Sequence, residues 1–299
     1  MRVDPSYVAN LVSALDSAQG REQQLSDELA SGVRINSLSD DPVSAGRNVL
    51  LLNQIQQDDS FTQSSSLLTG QLQVADSALG GVVSQLNEAI SLATSANNGT
   101  MNASDVQSIA SQLSGILREV ESLANSNYQG QYIFAGGKTT SVPFSTDSTI
   151  APAVTTYSGD SDINYVETPN GQRIQLNVAG NQIFVGATSL FGVLNSLIAD
   201  FSSGTVDSVR AQQDTRSLTA ALTYVSQQRV VIDNSMAQLT AATEAVTSEM
   251  TQLSAAQTDL MQADLATVAT QLSLSKTQET ALESVISQLG SGSLFDKLQ

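Results

Sequence analysis

Apolar residues recur at alternating intervals of three and four along most of the chain, the spacing of helices that bury one narrow face. Near the start, Val8, Leu15 and Leu29 share one heptad position and Leu11, Ala18 and Leu25 the other, with Glu22 interrupting. Ser31-Gly32 predicts the stop of this helix, since glycine readily adopts the left-handed conformation that closes a helix end. Asp41-Pro42 predicts the next start: aspartate caps well, and proline lacks only an N–H that the first helical position does not use. The seam that follows, Leu72, Ala75, Leu79, Val82, Leu86, Ala89, Ala93 and Ala96, is continuous. From Pro42 to Ala96 it predicts a rod of about 80 Å at the usual helical rise, ended by Asn98-Gly99. A third helix carries Val106, Ile109, Leu113, Ile116, Val120 and Leu123 and, after so short a loop, runs antiparallel to the second.

The C-terminal arm repeats the pattern over a longer span. Leu218, Val225, Ile232, Leu239, Val246, Leu253 and Leu260 recur every seven residues. Their partner positions, Leu222, Arg229, Met236, Thr243, Met250 and Gln257, are mixed, so the stripe is narrow. After Leu260 it drifts to Leu265, Val268, Leu272, Leu282, Ile286 and Leu289, and this phase change implies a different partner for the final forty or so residues.

The middle of the chain has another texture. Proline occurs only at Pro5, Pro42, Pro143, Pro152 and Pro169, leaving 43–142 and 170–299 free of the strongest helix breaker. Nine of the 7 Phe and 6 Tyr fall between Tyr128 and Phe201. There Gln131-Tyr132-Ile133-Phe134-Ala135 leads into Gly136-Gly137 as a strand and turn. Tyr165 to Thr168, Pro169-Asn170-Gly171 and Arg173 to Val178 read as a hairpin, and Gly180-Asn181 with Ile183-Phe184-Val185 as one more strand. The expected fold is therefore mainly α: a long antiparallel helical rod or coiled coil formed by both chain ends, with a small antiparallel β domain inserted in the middle.

Composition narrows the chemistry. With no His and no Cys, Ser-His and Cys-His catalysis, thiolate chemistry, His/Cys zinc sites and disulfides lack their side chains. Twelve Lys plus Arg against 29 Asp plus Glu leave a net charge of -17, which repels nucleic-acid phosphates and anionic lipid. Neither nucleic acid nor membrane is an expected partner. The charged fraction is only 14%, so Ser, Thr, Gln and Asn supply much of the polar surface. No stretch is long and apolar enough for a membrane span, and Met1 to Pro5 does not open a cleavable secretory signal.

Local motifs have plain readings. Gly137-Lys138-Thr139 resembles the end of a phosphate-binding loop, but Tyr132 stands where that loop needs glycine and Val142-Pro143 stops the helix it requires. Asp160, Asp162 and Asn164 have the spacing of the first calcium ligands of an EF-hand, yet Tyr165 replaces the turn glycine and Gly171 the bidentate glutamate, leaving an acidic loop. Asp40-Asp41 reads as capping and Asp58-Asp59 as a solvated face, because adjacent helical residues do not converge. No catalytic, cofactor-binding or metal-binding residue is identified, and no cofactor is expected.

Leu29-Ala30-Ser31-Gly32-Val33-Arg34-Ile35-Asn36-Ser37 followed by Asp40-Asp41-Pro42 resembles the N-terminal signature of the bacterial flagellin superfamily. Asp259-Leu260 and Ala263-Asp264-Leu265-Ala266 resemble its C-terminal signature. Within the superfamily, Gln131 to Gly136 with Lys138-Thr139, Pro143-Phe144, Tyr157-Ser158-Gly159-Asp160 and the ending Ser293-Leu294-Phe295-Asp296 resemble the hook-associated protein 3 family. Lys297, where that family often has an aromatic residue, departs from its pattern, and the β insertion is short.

The resemblance implies a non-enzymatic structural adaptor of the bacterial flagellum. Such a protein is exported by the flagellar type III route with an export chaperone as its partner before secretion. It then forms a ring of copies of itself between hook-associated protein 1 and the flagellin filament, an extracellular position. It also implies a terminal coiled-coil assembly domain, 1–42 and 262–299; a helical rod domain, 43–127 and 205–261; and an outer β-rich domain, 128–204. Leu11, Leu15, Leu25, Leu29, Leu265, Leu272 and Ile286 are the expected assembly residues, and Arg34, Asn36, Asp40 and Asp41 a polar corner between inner and rod domains. The chain ends are expected to order only on assembly, because a narrow stripe does not offset about 1–2 kcal/mol of ordering entropy per residue. The alternatives are a minor flagellin, which would polymerise into long filaments alone, and a stalked extracellular carbohydrate-binding β domain, whose segment 128–204 would bind or hydrolyse glycans.

Overall fold

The computed structural model describes residues 5–98, 101–147, 149–150, 152–186 and 189–291. Gly99, Lys297 and the Ser293-Leu294-Phe295-Asp296 motif lie outside the described residues, as do the side chains of Val8 and Leu289. The described residues form six α-helices: α1 (Pro5–Ser31), α2 (Pro42–Ala96), α3 (Ala103–Ala124), α4 (Leu190–Ser202), α5 (Ser208–Met261) and α6 (Leu265–Ser291). Between α3 and α4 the described residues form six short strands, β1 (Asn127–Tyr128), β2 (Gln131–Tyr132), β3 (Phe144–Asp147), β4 (Val154–Tyr157), β5 (Tyr165–Glu167) and β6 (Arg173–Gln175). The long helices pair antiparallel, α2 with α5 and α1 with α6.

Helix ends fall where local chemistry puts them. Gly32 closes α1 at φ 69°. The Ser44 amide donates to Asp41 Oδ1 at 3.0 Å, so Asp41 caps α2 ahead of Pro42. Asn102 caps α3 reciprocally: Asp105 N donates to Asn102 Oδ1 at 2.9 Å, and Asp105 answers through the Asn102 amide.

The chain divides into two compact units, 1–56 with 249–299 and 57–248. In the larger unit every position of the α2 seam from Leu72 to Ala96 is buried, as are Val106, Ile109, Leu113, Ile116 and Val120 of α3 and Leu218, Val225, Ile232, Leu239 and Val246 of α5. These residues form one continuous core. The intervening α5 positions Leu222, Arg229, Met236 and Thr243 are half-buried, which fits their mixed composition.

The middle segment departs from the expected single sheet. Its strands form three separate antiparallel hairpins, β1-β2, β3-β4 and β5-β6. Strand β2 stops at Tyr132, and Ile133, Phe134 and Ala135 turn inward into the core. Ile183-Phe184-Val185 belongs to a π-helical turn, Asn181–Val185, rather than a strand. Helix α4 was not expected at all; its Leu190, Phe191, Leu194, Leu197 and Phe201 are buried and it packs on α3. Phe144 organises the aromatic core, with ring centroids 4.9 Å from Tyr157, 5.1 Å from Phe184 and 5.3 Å from Phe191.

The Asp160 carboxylate accepts from the Gly137 amide at 2.6 Å and from the Asp162 amide at 3.1 Å. These bonds, the first above all, hold its pKa below the usual aspartate value. Gly136 has φ +70°, and a side chain there would overlap Asp160. The loop residues Asp160, Gly136 and Gly137 thus brace a turn. Asp58 corrects another expectation: it is fully buried in α2, while its neighbour Asp59 is exposed and accepts from Gln63 Nε2 at 2.8 Å. Among the described residues no helix is long and apolar enough to cross a membrane.

Candidate assembly interface

The unit containing both chain ends is built on α1 and α6. On α1 the contact stripe is Leu11, Leu15, Ala18, Glu22 and Leu25; on α6 it is Val268, Leu272, Ser275, Glu279, Leu282 and Ile286, at spacings of three and four. The apolar centre is small: Leu25, Ala263 and Val268 are buried together, with Leu272 packed against them. On the Pro5 side of this centre comes a polar stretch, beyond which Leu15 and Leu11 resume the stripe. Ser275 Oγ donates to the Ala18 carbonyl at 3.4 Å, Gln19 Nε2 donates to Glu279 Oε1 at 3.0 Å, and Lys276 Nζ lies 3.7 Å from Glu22 Oε1. Hydrogen bonding with Glu279 holds the Glu22 carboxyl above the usual glutamate range, and the same bond holds Glu279 below it.

The seven expected assembly residues therefore divide. Leu25 is buried; Leu11, Leu15, Leu272 and Ile286 are half-buried along the seam. Leu29 and Leu265 are exposed, Leu29 at the edge of a groove that it lines with Leu272, Lys276 and Thr280. The seven leave out Ala18 and Glu22, which the heptad reading places on the α1 stripe, and Ser275 and Glu279, which it does not. Their three-four spacing from Leu15, Leu25 and Leu272 was the available signal.

The expected phase change after Leu260 is a break in the helix. Chain 262–264 turns out of α5 and is opposed by 32–34 after α1: Val33 and Gln262 form an antiparallel bridge, Arg34 N donates to the Met261 carbonyl at 2.7 Å, and Ala263 N to the Gly32 carbonyl at 2.9 Å. Ile35 and Ala263 are buried at this junction. Asp264 restarts the helix as a cap, its carboxylate accepting from the Ala266 and Thr267 amides at 3.1 and 3.3 Å and from Thr267 Oγ1 at 2.8 Å.

All four polar-corner residues meet in one loop. Arg34 Nη1 lies 3.4 Å from Asp41 Oδ2, and its Nη2 donates to the Leu260 carbonyl at 3.1 Å, a cation at the closing turn of α5. Asp40 Oδ2 accepts from the Asn36 and Ser37 amides at 3.0 and 2.7 Å, and Asn36 Nδ2 donates to the Val33 carbonyl at 3.3 Å. Hydrogen bonds from Ser44, then Arg34, hold the Asp41 carboxyl below the usual aspartate value. This corner ties the α1–α2 loop to the α5–α6 break and offers no converging acid, base or nucleophile.

The segment that contains α1, the corner, α2 and α3 also carries a family match. Residues 7–139 match the bacterial flagellin N-terminal helical region. That match covers a little under half of the chain. Over 184 residues it is 29% identical to flagellar hook-associated protein 3 of Salmonella typhimurium, covering 61% of this chain and 56% of that protein. Over 223 residues it is 26% identical to flagellar hook-associated protein 3 of Escherichia coli, covering 70% of this chain and 68% of that one. The chain thus spans little more than half the length of the first relative. The crystal structure of the flagellar junction protein FlgL from Legionella pneumophila has the same fold, with a TM-score of 0.56 at 13% identity over 72% of this chain and 99% of that one.

Proposed function

We propose that this chain is a structural adaptor of the bacterial flagellum at the hook–filament junction, joining the hook through hook-associated protein 1 to the flagellin filament, with no enzymatic activity. The observation that carries the reading is the pair of relatives, both flagellar hook-associated protein 3, that the chain resembles over 184 and 223 residues. Residues 1–42 and 262–299 act as the terminal assembly domain, 43–127 and 205–261 as the rod domain and 128–204 as the outer domain. Copies of the chain form a ring through the α1·α6 pair, whose exposed Val12, Leu29, Leu265, Leu274 and Val285 are supporting features. The chain reaches its extracellular position by flagellar type III export, released from a chaperone.

The test is deletion of the gene in its host, with electron microscopy of the cells and immunoblotting of the medium for flagellin. Intact hooks without filaments, and monomeric flagellin in the medium, are the expected result. Normal filaments would overturn the reading.

A further inference from the structure

Among the described residues, the seam between α1 and α6 interrupts its apolar stripe with two polar layers. The contacts of Ser275 with the Ala18 carbonyl, Gln19 with Glu279 and Lys276 with Glu22 set the antiparallel register. Continued along the stripe, that register places Leu25 opposite Leu272, Leu15 opposite Leu282 and Leu11 opposite Ile286. Between them, Glu22 falls opposite Ser275 and Glu279 opposite Ala18. Each glutamate thus faces a small residue, and both are half-buried.

Polar layers in a helical seam lower its stability relative to leucine and are retained where they select a register or a partner. Within one chain the register needs no such help. The backbone bonds between 32–34 and 262–264 already fix where α6 starts against α1. Between copies no such bond acts, and a leucine stripe without polar interruptions pairs with itself as readily as with its partner. Two α1 helices in parallel register would oppose Glu22 to Glu22, and two α6 helices Glu279 to Glu279. An α1 and an α6 of different copies slipped by one heptad would set Glu22 against Leu282 or Val268, and Glu279 against Leu25 or Leu11. Either slip would also break the Gln19–Glu279 and Lys276–Glu22 contacts, since seven helical residues span about 10 Å.

We infer that Glu22 and Glu279 determine pairing specificity: they confine the chain ends to α1 with α6 in this one register and keep the ends of different copies from pairing like with like. The stability given up in the seam is the cost of that selection. The role applies to any setting that crowds the ends of several copies together, whatever the assembly.

The chain has no cysteine, so an introduced one reports pairing between copies without interference. Leu15→Cys lies on the stripe, and two copies become linked through it when their α1 helices pair in parallel. The purified full-length Leu15→Cys chain is oxidised with and without Glu22→Leu combined with Glu279→Leu, and its size is followed by sedimentation velocity. With both glutamates present the chain should stay monomeric and cross-link slowly. With both replaced it should self-associate and cross-link about tenfold faster or more, because an apolar pair replaces opposed charges. Asp16→Leu combined with Glu283→Leu removes the same charge and adds the same side chains at exposed positions off the stripe, and should leave both readouts unchanged. Unaltered cross-linking in the Glu22→Leu, Glu279→Leu chain, or equal acceleration by Asp16→Leu with Glu283→Leu, would overturn the inference.

Discussion

Arg229 of α5 grips Asp76 of α2 with two hydrogen bonds, Nε to Oδ1 at 2.8 Å and Nη2 to Oδ2 at 3.1 Å, across 153 residues of sequence. The pair occupies one of the mixed positions beside the heptad stripe and is half-buried, with side-chain exposures of 35% and 24%. The bond to Asp76 raises the Arg229 pKa further above its ordinary value, so the guanidinium stays charged. A two-pronged ion pair has one good geometry, which fixes the register of the two helices as well as adding stability.

Replacing Asp76 by Asn should therefore destabilise the larger unit by about 1–2 kcal/mol, more than an exposed helix pair and less than a fully buried one. Urea unfolding of Asp76→Asn, Arg229→Met and the double variant checks this. A coupling energy near zero in that cycle would show that the pair contributes nothing beyond its packing.

The aromatic core makes a larger demand. Phe184 is fully buried and touches Phe134, Phe144 and Phe191. Phe184→Ala should cost about 3–5 kcal/mol, the usual range for emptying a buried aromatic site. Thermal melting is the measurement, and a loss under about 1 kcal/mol would mean that the π-helical turn repacks freely.

The α1·α6 pair should be the least protected part of the chain. Its apolar centre is three buried residues with Leu272 beside them, against a continuous core in the larger unit, and short-cored helices open locally at low free-energy cost. Amide hydrogen exchange in the monomer should be fast along α1 and α6 and slow at Leu79, Leu113 and Val225. Equal protection throughout would contradict ordering of the chain ends on assembly.

The long helices were legible because their burial is periodic. Leu72 to Ala96 and Leu218 to Val246 could be read directly as interior. The middle was not, since Ile183-Phe184-Val185 is too short an apolar run for periodicity to choose between strand and helical turn. Helix α4 was legible in principle, because Leu190, Leu194, Leu197 and Phe201 keep helical spacing, but its aromatics sat among strand-like neighbours. In the interface, Leu25, Leu272 and Ile286 follow the stripe, whereas Leu265 is exposed in the first turn after the break at 262–264. The drift after Leu260 marked that break without revealing that Val33 and Arg34 would pair with it, a contact between backbone atoms that side-chain patterns do not encode.

The pH response of the break follows from Asp264. Hydrogen bonds from Thr267, side chain first, hold its folded pKa below the usual aspartate value of 3.8. A depressed carboxylate contributes stability that is complete above the unfolded pKa and is lost as pH falls through the folded one. The start of α6 should therefore hold at neutral pH and fray only in acid below that ordinary value. Asp264→Asn should remove this acid transition. Amide shifts of Ala266 and Thr267 against pH report it, and a midpoint above the ordinary aspartate value would contradict the cap.

In the proposed junction role, the pairing of the chain ends, rather than the larger unit, joins this protein into the flagellum. The direct measurement replaces the native gene with Leu25→Asp combined with Val268→Asp and counts filaments on hooks, with flagellin in the medium blotted alongside. The purified variant should melt in its larger unit as the native chain does, while cells carry bare hooks and shed flagellin monomer. Full-length filaments on cells producing the variant at native levels would show that the paired ends are not what joins it.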